Sequence, residues 1–254
     1  MKVIMLGGKG ESTLFIYNAL KNDFLIEKVI VESKVSNKNL IKSRIKKLGF
    51  FKVLNQILFQ LTISKFLKIL SHTRKQKLKI KYDLSNKEID NSLLLNVSSI
   101  NHDECLLAIK KINPDVIVVN GTRIISKKVL ECTPAIFINT HVGITPEYRG
   151  VHGGYWSLVN NDRKNCGVTI HKVDKGIDTG DIICQDTIKI TEKDNFATYL
   201  YHQYGVAIPL LKSTLDKIEN NELISYRKDS STSNLFYHPT FSGYLYNRIF
   251  KKVK

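Results

Sequence analysis

The sequence predicts an α/β fold of the doubly wound, Rossmann-like type, in which helices cover both faces of a mainly parallel sheet. Short apolar runs rich in β-branched residues alternate along the chain with segments of helical periodicity. The first apolar run also ends in a glycine turn, Gly7-Gly8-Lys9-Gly10, directly before a helical segment. A hydrophobic content of 43% over 254 residues is enough for one sizeable core.

The predicted elements follow one another in chain order. Apolar runs predict strands at residues 3–6, 25–31, 115–119, 135–139, 168–173 and 182–184. Helical spacing predicts helices at residues 12–21, 103–112, 126–132 and 196–219. The last two strands can form a hairpin around the loop that contains Asp178. From residue 223 the chain is polar and then aromatic, and the pattern leaves open whether this tail packs on the core or closes over a substrate.

One segment interrupts this alternation, and its charge is strongly one-sided. Residues 34–82 carry 14 Lys and Arg and no Asp or Glu, which leaves 39 − 14 = 25 basic and 23 acidic residues elsewhere. Apolar residues keep helical spacing on both sides of Gly49, which predicts two amphipathic helices. We expect residues 1–190 to form the main domain, with a basic helical insert at residues 36–82. Residues 191–254 are expected to form a small C-terminal extension, a helix and a tail.

Three interpretations of the basic insert remain open. Its lysines can be the solvated faces of two helices, or they can form a docking surface for a polyanion or an anionic membrane. Its apolar face can instead form the interface of a homodimer. Specific binding to nucleic acid is not expected, because the segment has no recognised nucleic-acid motif and few aromatic residues.

Composition also bears on compartment and on metal binding. The first apolar run is too short for the core of a signal peptide, and the four cysteines form no CxxC pair. The uncharged apolar stretch at residues 53–64 has 12 residues, short of the ~20 that span a bilayer. We therefore expect a cytoplasmic protein. Peripheral attachment to the inner membrane surface through the basic insert remains an open alternative. No metal site is expected, since no two histidines stand at i,i+4 with an acid between them.

The most informative residues are Asn139 and His141, at the end of an apolar run, and Asp178, 37 residues after His141. Residues two apart on a strand project from the same face. An amide can stabilise an oxyanion, an imidazole can supply charge or move a proton, and a carboxylate can orient the imidazole. The set suits acyl transfer to an amine. The structural alternative is that Asn139 caps a turn, His141 is a hydrogen-bonded, semi-buried histidine and Asp178 closes a loop.

The sequence around these residues resembles a known family. It reads Phe-Ile-Asn-Thr-His-Val-Gly-Ile-Thr-Pro-Glu-Tyr-Arg-Gly at 137–150, Val-Thr-Ile-His at 168–171 and Gly-Ile-Asp-Thr-Gly at 176–180. Asn-x-His, x-Pro-x-x-Arg-Gly and Ile-Asp-x-Gly at this spacing resemble the folate-dependent formyltransferases. That family includes glycinamide ribonucleotide transformylase, the catalytic domain of methionyl-tRNA formyltransferase, and the sugar N-formyltransferases of bacterial surface polysaccharide (O-antigen) synthesis. The resemblance covers about residues 1–34 and 90–190.

The resemblance implies that Asn139, His141 and Asp178 are the catalytic triad and that N10-formyltetrahydrofolate is the formyl donor. Asn139 and a protonated His141 would stabilise the oxyanion that forms when an amine attacks the formyl carbon. Asp178 would hold the imidazolium and help to relay a proton to the leaving nitrogen. The folate would lie against two further segments, Arg123, Ile124 and Ile125 in the first and the backbone of Val173, Asp174, Lys175 and Gly176 in the second. For the first segment an ordinary strand-to-helix turn is the alternative.

Three residues are candidates for binding the acceptor. Gly10 and Ser12 lie in the glycine loop, where backbone N–H groups and hydroxyls suit an anion, although Glu11 between them would repel one and a structural turn is equally consistent. Arg149 would suit a phosphate, unless this segment is only a helix start packed on the core. The Ser-x-Leu-Pro common in the family is here Gly-Ile-Thr-Pro at 143–146, which bears on the identity of the acceptor.

The architecture of the family favours a nucleotide-linked amino sugar as the acceptor. The residues after the long helix look too few for the C-terminal barrel of a tRNA formyltransferase, and a ribonucleotide transformylase is typically shorter and lacks the insert. Glycinamide ribonucleotide and methionyl-tRNA remain alternative acceptors. A different class of function also remains open, a non-catalytic protein that uses the same fold to associate with a membrane or a polyanion.

Overall fold

The computed structural model describes residues 1–33, 37–228 and 232–254. The strands are β1 (Lys2–Gly8), β2 (Leu25–Glu32), β3 (Leu94–Val97), β4 (Val116–Asn120), β5 (Ile136–His141), β6 (Tyr148–Gly150), β7 (Gly167–Lys172), β8 (Ile182–Thr187) and β9 (Asn234–Phe236). The helices are α1 (Glu11–Leu20), α2 (Asn37–Leu48), α3 (Phe50–Leu61), α4 (Ile63–Leu70), α5 (His72–Lys81), α6 (Asp103–Ile112), α7 (Lys127–Leu130), α8 (Gly153–Val159), α9 (Tyr199–Glu219) and α10 (Phe241–Phe250). The predicted start of the insert, residue 36, lies outside the described residues.

The central sheet has seven strands in the order β3-β2-β1-β4-β5-β7-β8. The first five strands are parallel, and β7 and β8 run antiparallel at one edge. Alternate residues of β1 face opposite sides, because Val3 and Met5 join a core with α1 and α9 while Ile4 and Leu6 join a core with α6. The expected doubly wound α/β fold with a mainly parallel sheet is therefore confirmed.

The insert contains four helices, α2 to α5, where the sequence predicted two. The break at Gly49 agrees with the sequence pattern. This residue has a positive φ of 84°, a backbone conformation that favours glycine. The further breaks at Thr62 and Ser71 have no glycine or proline to mark them. At each of these three breaks the backbone leaves helical geometry for a single residue while the apolar spacing continues.

The insert and the C-terminal tail pack together and form a third apolar core. Phe59 of α3 and Leu67 of α4 are buried in it with Tyr155 of α8, Tyr199 of α9 and Tyr244 of α10. The tail thus packs on the body of the protein, and its last segment is the helix α10, which the sequence pattern did not predict. Thr240 caps this helix by accepting a hydrogen bond from the Gly243 N–H at 3.1 Å.

The helical run Phe50–Leu70 has the length and composition of a membrane-crossing helix, with a mean hydropathy of 1.2. The sequence-based estimate considered only its uncharged part and was therefore shorter. A buried core helix can have the same length and composition as a membrane span. The run is also interrupted at Thr62, and its buried residues Phe59 and Leu67 pack into the third core.

The division of the chain at residue 190 stays a prediction. Helix α9, which follows that position, packs closely on the sheet. Its residues Tyr204, Leu211 and Leu215 are buried in the same core as β1 and α1.

An ion pair fixes the insert to the segment that precedes α9. Arg74 of α5 donates from Nε to Asp194 Oδ1 at 2.8 Å and from Nη2 to Oδ2 at 2.9 Å. The carboxylate also accepts hydrogen bonds from the backbone and hydroxyl of Thr191 and faces His202 Nε2 at 3.1 Å. Burial raises the pKa of Asp194, but the hydrogen bonds from Arg74 and its other partners outweigh burial and hold the pKa far below its ordinary value.

We expect Arg74→Met to lower the free energy of unfolding by about 3 kcal/mol at neutral pH, because the side chain of Asp194 is 0% exposed and would stay buried without its cation. Urea denaturation followed by circular dichroism measures this. Since the native pKa of Asp194 is lowered, the stabilisation is present above its unfolded pKa of about 4 and is lost as the pH falls towards the native pKa. Lys77→Met, which removes an exposed cation from the same helix, is the control. Equal stability of the two variants would contradict the assignment.

Candidate active site

The candidate site lies where parallel strands end. β1, β4 and β5 are neighbours in the sheet, so their carboxyl ends share one edge, which is where open α/β sheets bind their ligands. Asn139 and His141 are in the last residues of β5, and Gly10 and Ser12 follow β1 at the same edge. Asp178 reaches this edge from the loop between β7 and β8.

His141 is held between a carboxylate and a backbone carbonyl. Its Nδ1 lies 3.4 Å from Asp178 Oδ2, and its Nε2 lies 2.8 Å from the carbonyl oxygen of Tyr148. Because the carbonyl can only accept, Nε2 carries a proton. The other nitrogen faces the carboxylate, so protonation of Nδ1 would complete an ion pair.

Asn139 is oriented by His171 on the neighbouring strand. The two residues are paired in the β5–β7 register, and Asn139 Nδ2 lies 3.1 Å from His171 Nε2 and 3.4 Å from Asp178 Oδ1. His171 Nδ1 lies 2.7 Å from the carbonyl oxygen of Lys172, so Nδ1 is the donor and Nε2 accepts from the amide of Asn139 in the neutral imidazole. One N–H of Asn139 thus donates to His171, and the other is turned towards the carboxylate.

Asp178 has a positive φ of 52° and an almost buried carboxylate, with the side chain 14% exposed. Its Oδ2 accepts a hydrogen bond from the Gly150 N–H at 2.9 Å. Burial raises the pKa of Asp178, but the charge of His141, the proximity of His171 and the hydrogen bond from the Gly150 N–H outweigh burial and lower the pKa to about 2. Asp178 is therefore a carboxylate across the physiological range.

Burial has the larger effect on His141. It lowers the pKa of the imidazole below its ordinary value, while the carboxylate of Asp178 and the carbonyl of Tyr148 act in the opposite direction. The ring is 5% exposed. The site therefore contains a fixed negative charge beside an imidazole whose proton is easily given up, in surroundings with little water.

Arg123, Ile124 and Ile125 form the loop after β4. The side chain of Arg123 is committed to the protein, since it pairs with Glu32 at 2.6 Å and donates to the carbonyls of Ser33 and Ser98 at 2.9 and 3.0 Å. The side chain of Ile124 is 56% exposed and that of Ile125 is buried. The backbone N–H groups of Ile124 and Ile125 make no hydrogen bond to the described residues.

The segment Val173 to Gly176 follows β7. The Val173 N–H donates to Phe137 of β5 at 2.9 Å, and the side chain packs on the same apolar cluster as Ile125. The Asp174 carboxylate accepts from the Gly176 N–H at 2.9 Å and closes the turn, with Lys175 exposed between them. The two predicted folate segments thus border the same side of the sheet.

The glycine loop is better suited to an anion than its sequence suggested. Glu11 is turned away from the loop, because its carboxylate pairs with Lys79 of the insert at 2.7 Å and accepts from Tyr201 at 2.8 Å. Burial raises the pKa of Glu11, but these partners outweigh burial and lower it. Gly10 precedes α1, and Ser12 Oγ accepts a hydrogen bond from Asn120 at 3.0 Å. The expected repulsion from Glu11 is therefore largely neutralised by Lys79.

Arg149 lies on β6 beside the loop of Asp178. Its Nη1 donates to the carbonyl of Ile177 at 3.2 Å. The structure thus places Arg149 next to the predicted triad. Tyr155 is buried in the third core and Trp156 packs against that core, which agrees with the alternative of a helix start packed on the core.

Sequence reasoning missed three residues that shape the site: His171, Tyr148 and Gly143. A Cβ on Gly143 would lie 2.7 Å from His141 Nε2 and 2.5 Å from the carbonyl oxygen of Tyr148, so only glycine leaves room for their contact. His171 was visible in the motif, but its role depends on the antiparallel register that pairs it with Asn139. The departure at residue 143 was itself a signal that this position touches the site.

Neither surface clefts nor metal clusters point to another site more strongly. One cleft is lined by residues 158–161 with Lys251 and another by Met1 and the loops at 113–115 and 134–136, and both lie apart from Asp178. Among residues 1–33, 37–228 and 232–254, no group of three His, Cys, Asp or Glu residues is arranged to hold a metal ion.

Comparison with known sequences connects this site with one family. A family model for formyl transferases matches residues 59–204, a span that contains Asn139, His141 and Asp178. The chain is 34% identical over 125 residues to a methionyl-tRNA formyltransferase from Caldanaerobacter subterraneus subsp. tengcongensis, and this match covers 49% of the chain and 40% of the relative. The chain thus spans about two fifths of the length of that curated relative.

Solved structures share the fold over a longer part of the chain. A sugar N-formyltransferase from Shewanella sp FDAARGOS_354 superposes with a TM-score of 0.57 and 16% identity, covering 93% of this chain and 76% of that one. WlaRD, a sugar 3N-formyl transferase solved in the presence of dTDP and 5-N-formyl-THF, superposes with a TM-score of 0.55 and 20% identity, covering 93% of this chain and 69% of that one. At these identities the likeness is one of fold.

We expect Asp178→Asn to lower the pKa of His141 further, because the substitution removes the carboxylate that raises it. Titration of the His141 ring by NMR, with its resonance assigned through His141→Gln, measures the shift. Asp186→Asn, which changes an exposed carboxylate on β8, is the matched control and should leave the titration unchanged. A raised or unaltered pKa in Asp178→Asn would show that Asp178 does not act on this imidazole.

Proposed function

Because the chain belongs to the formyl transferase family, we propose that it transfers a formyl group from N10-formyltetrahydrofolate to the primary amine of a nucleotide-linked amino sugar. The proposal assigns the reaction to residues 1–190. The observation that carries it is the convergence of Asn139, His141 and Asp178 within 3.4 Å contacts at the carboxyl edge of the sheet, inside the span that matches the family. An amide, an imidazole and a carboxylate in one buried cluster are the groups that such an acyl transfer requires.

In this proposal Asn139 donates a hydrogen bond to the formyl oxygen. Its amide N–H groups are aimed into the site by His171, and one of them makes only a long contact of 3.4 Å with Asp178. A donor held in this way can turn to the negative charge that develops on the oxygen as the amine attacks. Burial strengthens that interaction, because little water competes for the charge.

His141 and Asp178 manage charge and protons. When Nδ1 of His141 is protonated, both ring nitrogens face acceptors, Asp178 Oδ2 and the carbonyl of Tyr148. The imidazolium supplies the positive charge next to the developing oxyanion. Because burial makes this proton labile, His141 can pass it from Nδ1 through Asp178 Oδ2 to the departing nitrogen, and the proton that the attacking amine loses replaces it.

The residues after β4 and β7 suit the formyl donor. N10-formyltetrahydrofolate supplies the electrophilic formyl carbon when it is bound. The N–H groups of Ile124 and Ile125 are unused within the described residues, and they lie beside the exposed side chain of Ile124. Free donors next to apolar surface fit a flat heterocycle with polar edges. In the proposal Arg123 acts through its backbone, since its side chain is held by Glu32, and Val173, Asp174, Lys175 and Gly176 form the opposite wall.

A nucleotide-linked sugar is the acceptor supported by the fold neighbours and by the placement of cationic and anion-binding groups. The neighbours that superpose over 93% of the chain include sugar N-formyltransferases, one of them solved with dTDP. Arg149 stands beside the Asp178 loop, and Gly10 and Ser12 present a helix start at the same edge. These groups would hold the diphosphate, and the sugar amine would then reach the formyl carbon near Asn139.

Methionyl-tRNA is a second candidate acceptor, because the curated relative at 34% identity is a methionyl-tRNA formyltransferase. The match covers 40% of that relative and 49% of this chain, so this candidate rests on part of each protein. Glycinamide ribonucleotide stays a further alternative on the family resemblance. We place the enzyme in the cytoplasm, since all four cysteines are free thiols, as in a reducing compartment.

We expect Asn139→Ala, His141→Ala and Asp178→Asn each to reduce the rate of formyl transfer by about 10²- to 10⁴-fold, because each removes a group that acts on charge or protons in the reaction. Turnover is measured on the acceptor that mass spectrometry identifies, and circular dichroism checks that each variant is folded. His102→Ala and Asp186→Asn change exposed residues of the same types and should retain full activity. Near-normal turnover of any of the three variants would remove the role assigned to that residue.

Mass spectrometry of the products identifies the acceptor. The protein is incubated with N10-formyltetrahydrofolate and a panel of nucleotide-linked 3- and 4-amino sugars, glycinamide ribonucleotide and methionyl-tRNA, and the His141→Ala variant serves as control. A formyl mass gain on a sugar nucleotide is the expected result. A gain only on the ribonucleotide or the tRNA would overturn the acceptor but keep the chemistry. No gain on any acceptor, although folate binds, would favour the non-catalytic alternative.

A further inference from the structure

The insert and the C-terminal helix present a continuous apolar surface that the core of the protein does not use. We propose that this surface, the lysine-flanked face, docks the protein peripherally on an anionic lipid bilayer, with α3 and α10 lying along the surface. The face consists of the exposed apolar residues of α3, α4 and α10: Phe50, Phe51, Leu54, Leu58, Leu61, Phe66, Ile69, Leu70, Leu245, Tyr246, Ile249 and Phe250.

Helix α3 is apolar on two opposite sides. Val53 and Phe59 face the protein and are buried, as packing on the core requires. Leu54, Leu58 and Leu61 recur at helical spacing on the opposite side and are 51%, 44% and 57% exposed. Single exposed leucines are common on protein surfaces, but a stripe along a whole helix indicates a site of interaction.

Helix α10 extends this stripe. Its buried residues Tyr244 and Asn247 face the core, and Ile249 and Phe250 on its other side are 65% and 70% exposed. The two helices meet where Asn55 donates to Ser242 Oγ at 3.1 Å and accepts from the Ser242 N–H at 3.1 Å. Ser242 lies on the exposed side of α10, so the apolar stripes of the two helices are neighbours.

The charge around the face selects an anionic partner. Residues 37–82 contain 13 Lys and Arg, residues 232–254 contain four, and neither segment contains an Asp or Glu. The rest of the chain has 39 − 13 − 4 = 22 basic and 23 acidic residues, so the two segments carry a charge of +17 and the rest of the chain a charge of −1. Arg74 and Lys79 anchor the insert to Asp194 and Glu11. Lys251 and Lys254 donate to the carbonyls of Val159 and Glu192. Lys52, Lys65 and Lys68 on α3 and α4 are exposed and available to lipid phosphates.

The combination of features favours a bilayer surface over the other possible occupants. A nucleic acid would be bound by the cations but would gain little from leucine and isoleucine side chains, which neither stack on bases nor donate hydrogen bonds. A second copy of the chain would bring two strongly positive segments together. Exposed apolar side chains on the helices of a strongly basic segment are the pattern of interfacial membrane helices.

The same observations argue for lying on the bilayer rather than crossing it. The run Phe50–Leu70 is long and apolar enough to span, but its residues Val53, Phe59 and Leu67 are buried in the protein. Crossing would require these side chains to leave the third apolar core. Docking through the exposed side leaves that core intact.

Vesicle co-sedimentation of the full chain tests the proposal. The vesicles are phosphatidylcholine alone, or phosphatidylcholine mixed with phosphatidylglycerol, at low and high salt. The test variant is Leu54→Gln/Leu58→Gln/Leu61→Gln. The control is Leu25→Gln/Leu107→Gln/Ile224→Gln, which changes residues outside the face that are more exposed than the test residues, at 60%, 64% and 80%. Circular dichroism confirms that both variants fold.

We expect the wild-type chain and the control to bind the mixed vesicles, and to bind them more weakly at high salt. The test variant should bind at least about tenfold more weakly. Equal binding of the test variant, or no binding by the wild type, would overturn the proposal. A loss of dimer mass in the test variant by light scattering, without vesicle binding by the wild type, would assign the face to a second copy. Tighter binding to RNA than to mixed vesicles, unaffected by the test variant, would show that the surrounding cations bind nucleic acid without the face, and would overturn the proposal. Because no turnover is measured, these outcomes are independent of the proposed reaction.

Discussion

The carboxylate of Asp178 is the point at which separate segments of the chain meet. It faces His141 at the end of β5, lies near His171 of β7, and accepts the Gly150 N–H at the end of β6. A buried carboxylate is costly unless its oxygens are paired, so these contacts must all be present together. The positive φ of 52° at this residue is the backbone strain that brings the carboxylate there, and the surrounding contacts hold it in place.

The sheet makes these contacts possible through the reversal of strand direction between β5 and β7. β4 and β5 are parallel, and β7 then returns antiparallel to β5, which sets Asn139 opposite His171. A shift of one residue would turn every side chain of β7 to the other face and separate the pair. The antiparallel edge also allows a short hairpin loop to bring Asp178 back to the end of β5. The parallel part of the sheet supplies the ligand-binding edge, and the antiparallel part supplies the carboxylate.

The parts of the fold that could be predicted from the sequence are those fixed by local pattern. The helix at 103–112 and the buried strand of β4 were expected within a residue, because the periodicity of each is complete in a single segment. β6 and β9 could not be predicted, since Tyr148 pairs with Asn234 across 86 residues, and neither strand has more than three residues. The meaning of His171 likewise depends on a register that the sequence does not display. Asn139, His141 and Asp178 could be identified without that register, because their motifs resemble those of a known family.

The insert and the candidate site are parts of one packed unit. Phe59 of α3 contacts the ring of Tyr244, which stacks on Tyr155 of α8. Gln56 of α3 donates to the carbonyl of His238, whose Nδ1 lies 2.9 Å from His152 Nε2 at the start of α8. Burial lowers the pKa of His152 to about 3 and that of His238 to about 4, so this pair is neutral and serves as a hydrogen bond between buried segments.

Helix α8 then reaches the site itself, because a Cβ on Gly153 would lie 2.5 Å from the Cα of Gly143. Gly143 in turn borders the contact of His141 with Tyr148. Close-packed interiors transmit displacement because they have few voids to absorb it. A displacement of α3 would therefore reach the imidazole of His141 through only a few van der Waals contacts. The insert that would hold the protein on a surface thus also packs against the elements that position the candidate active site.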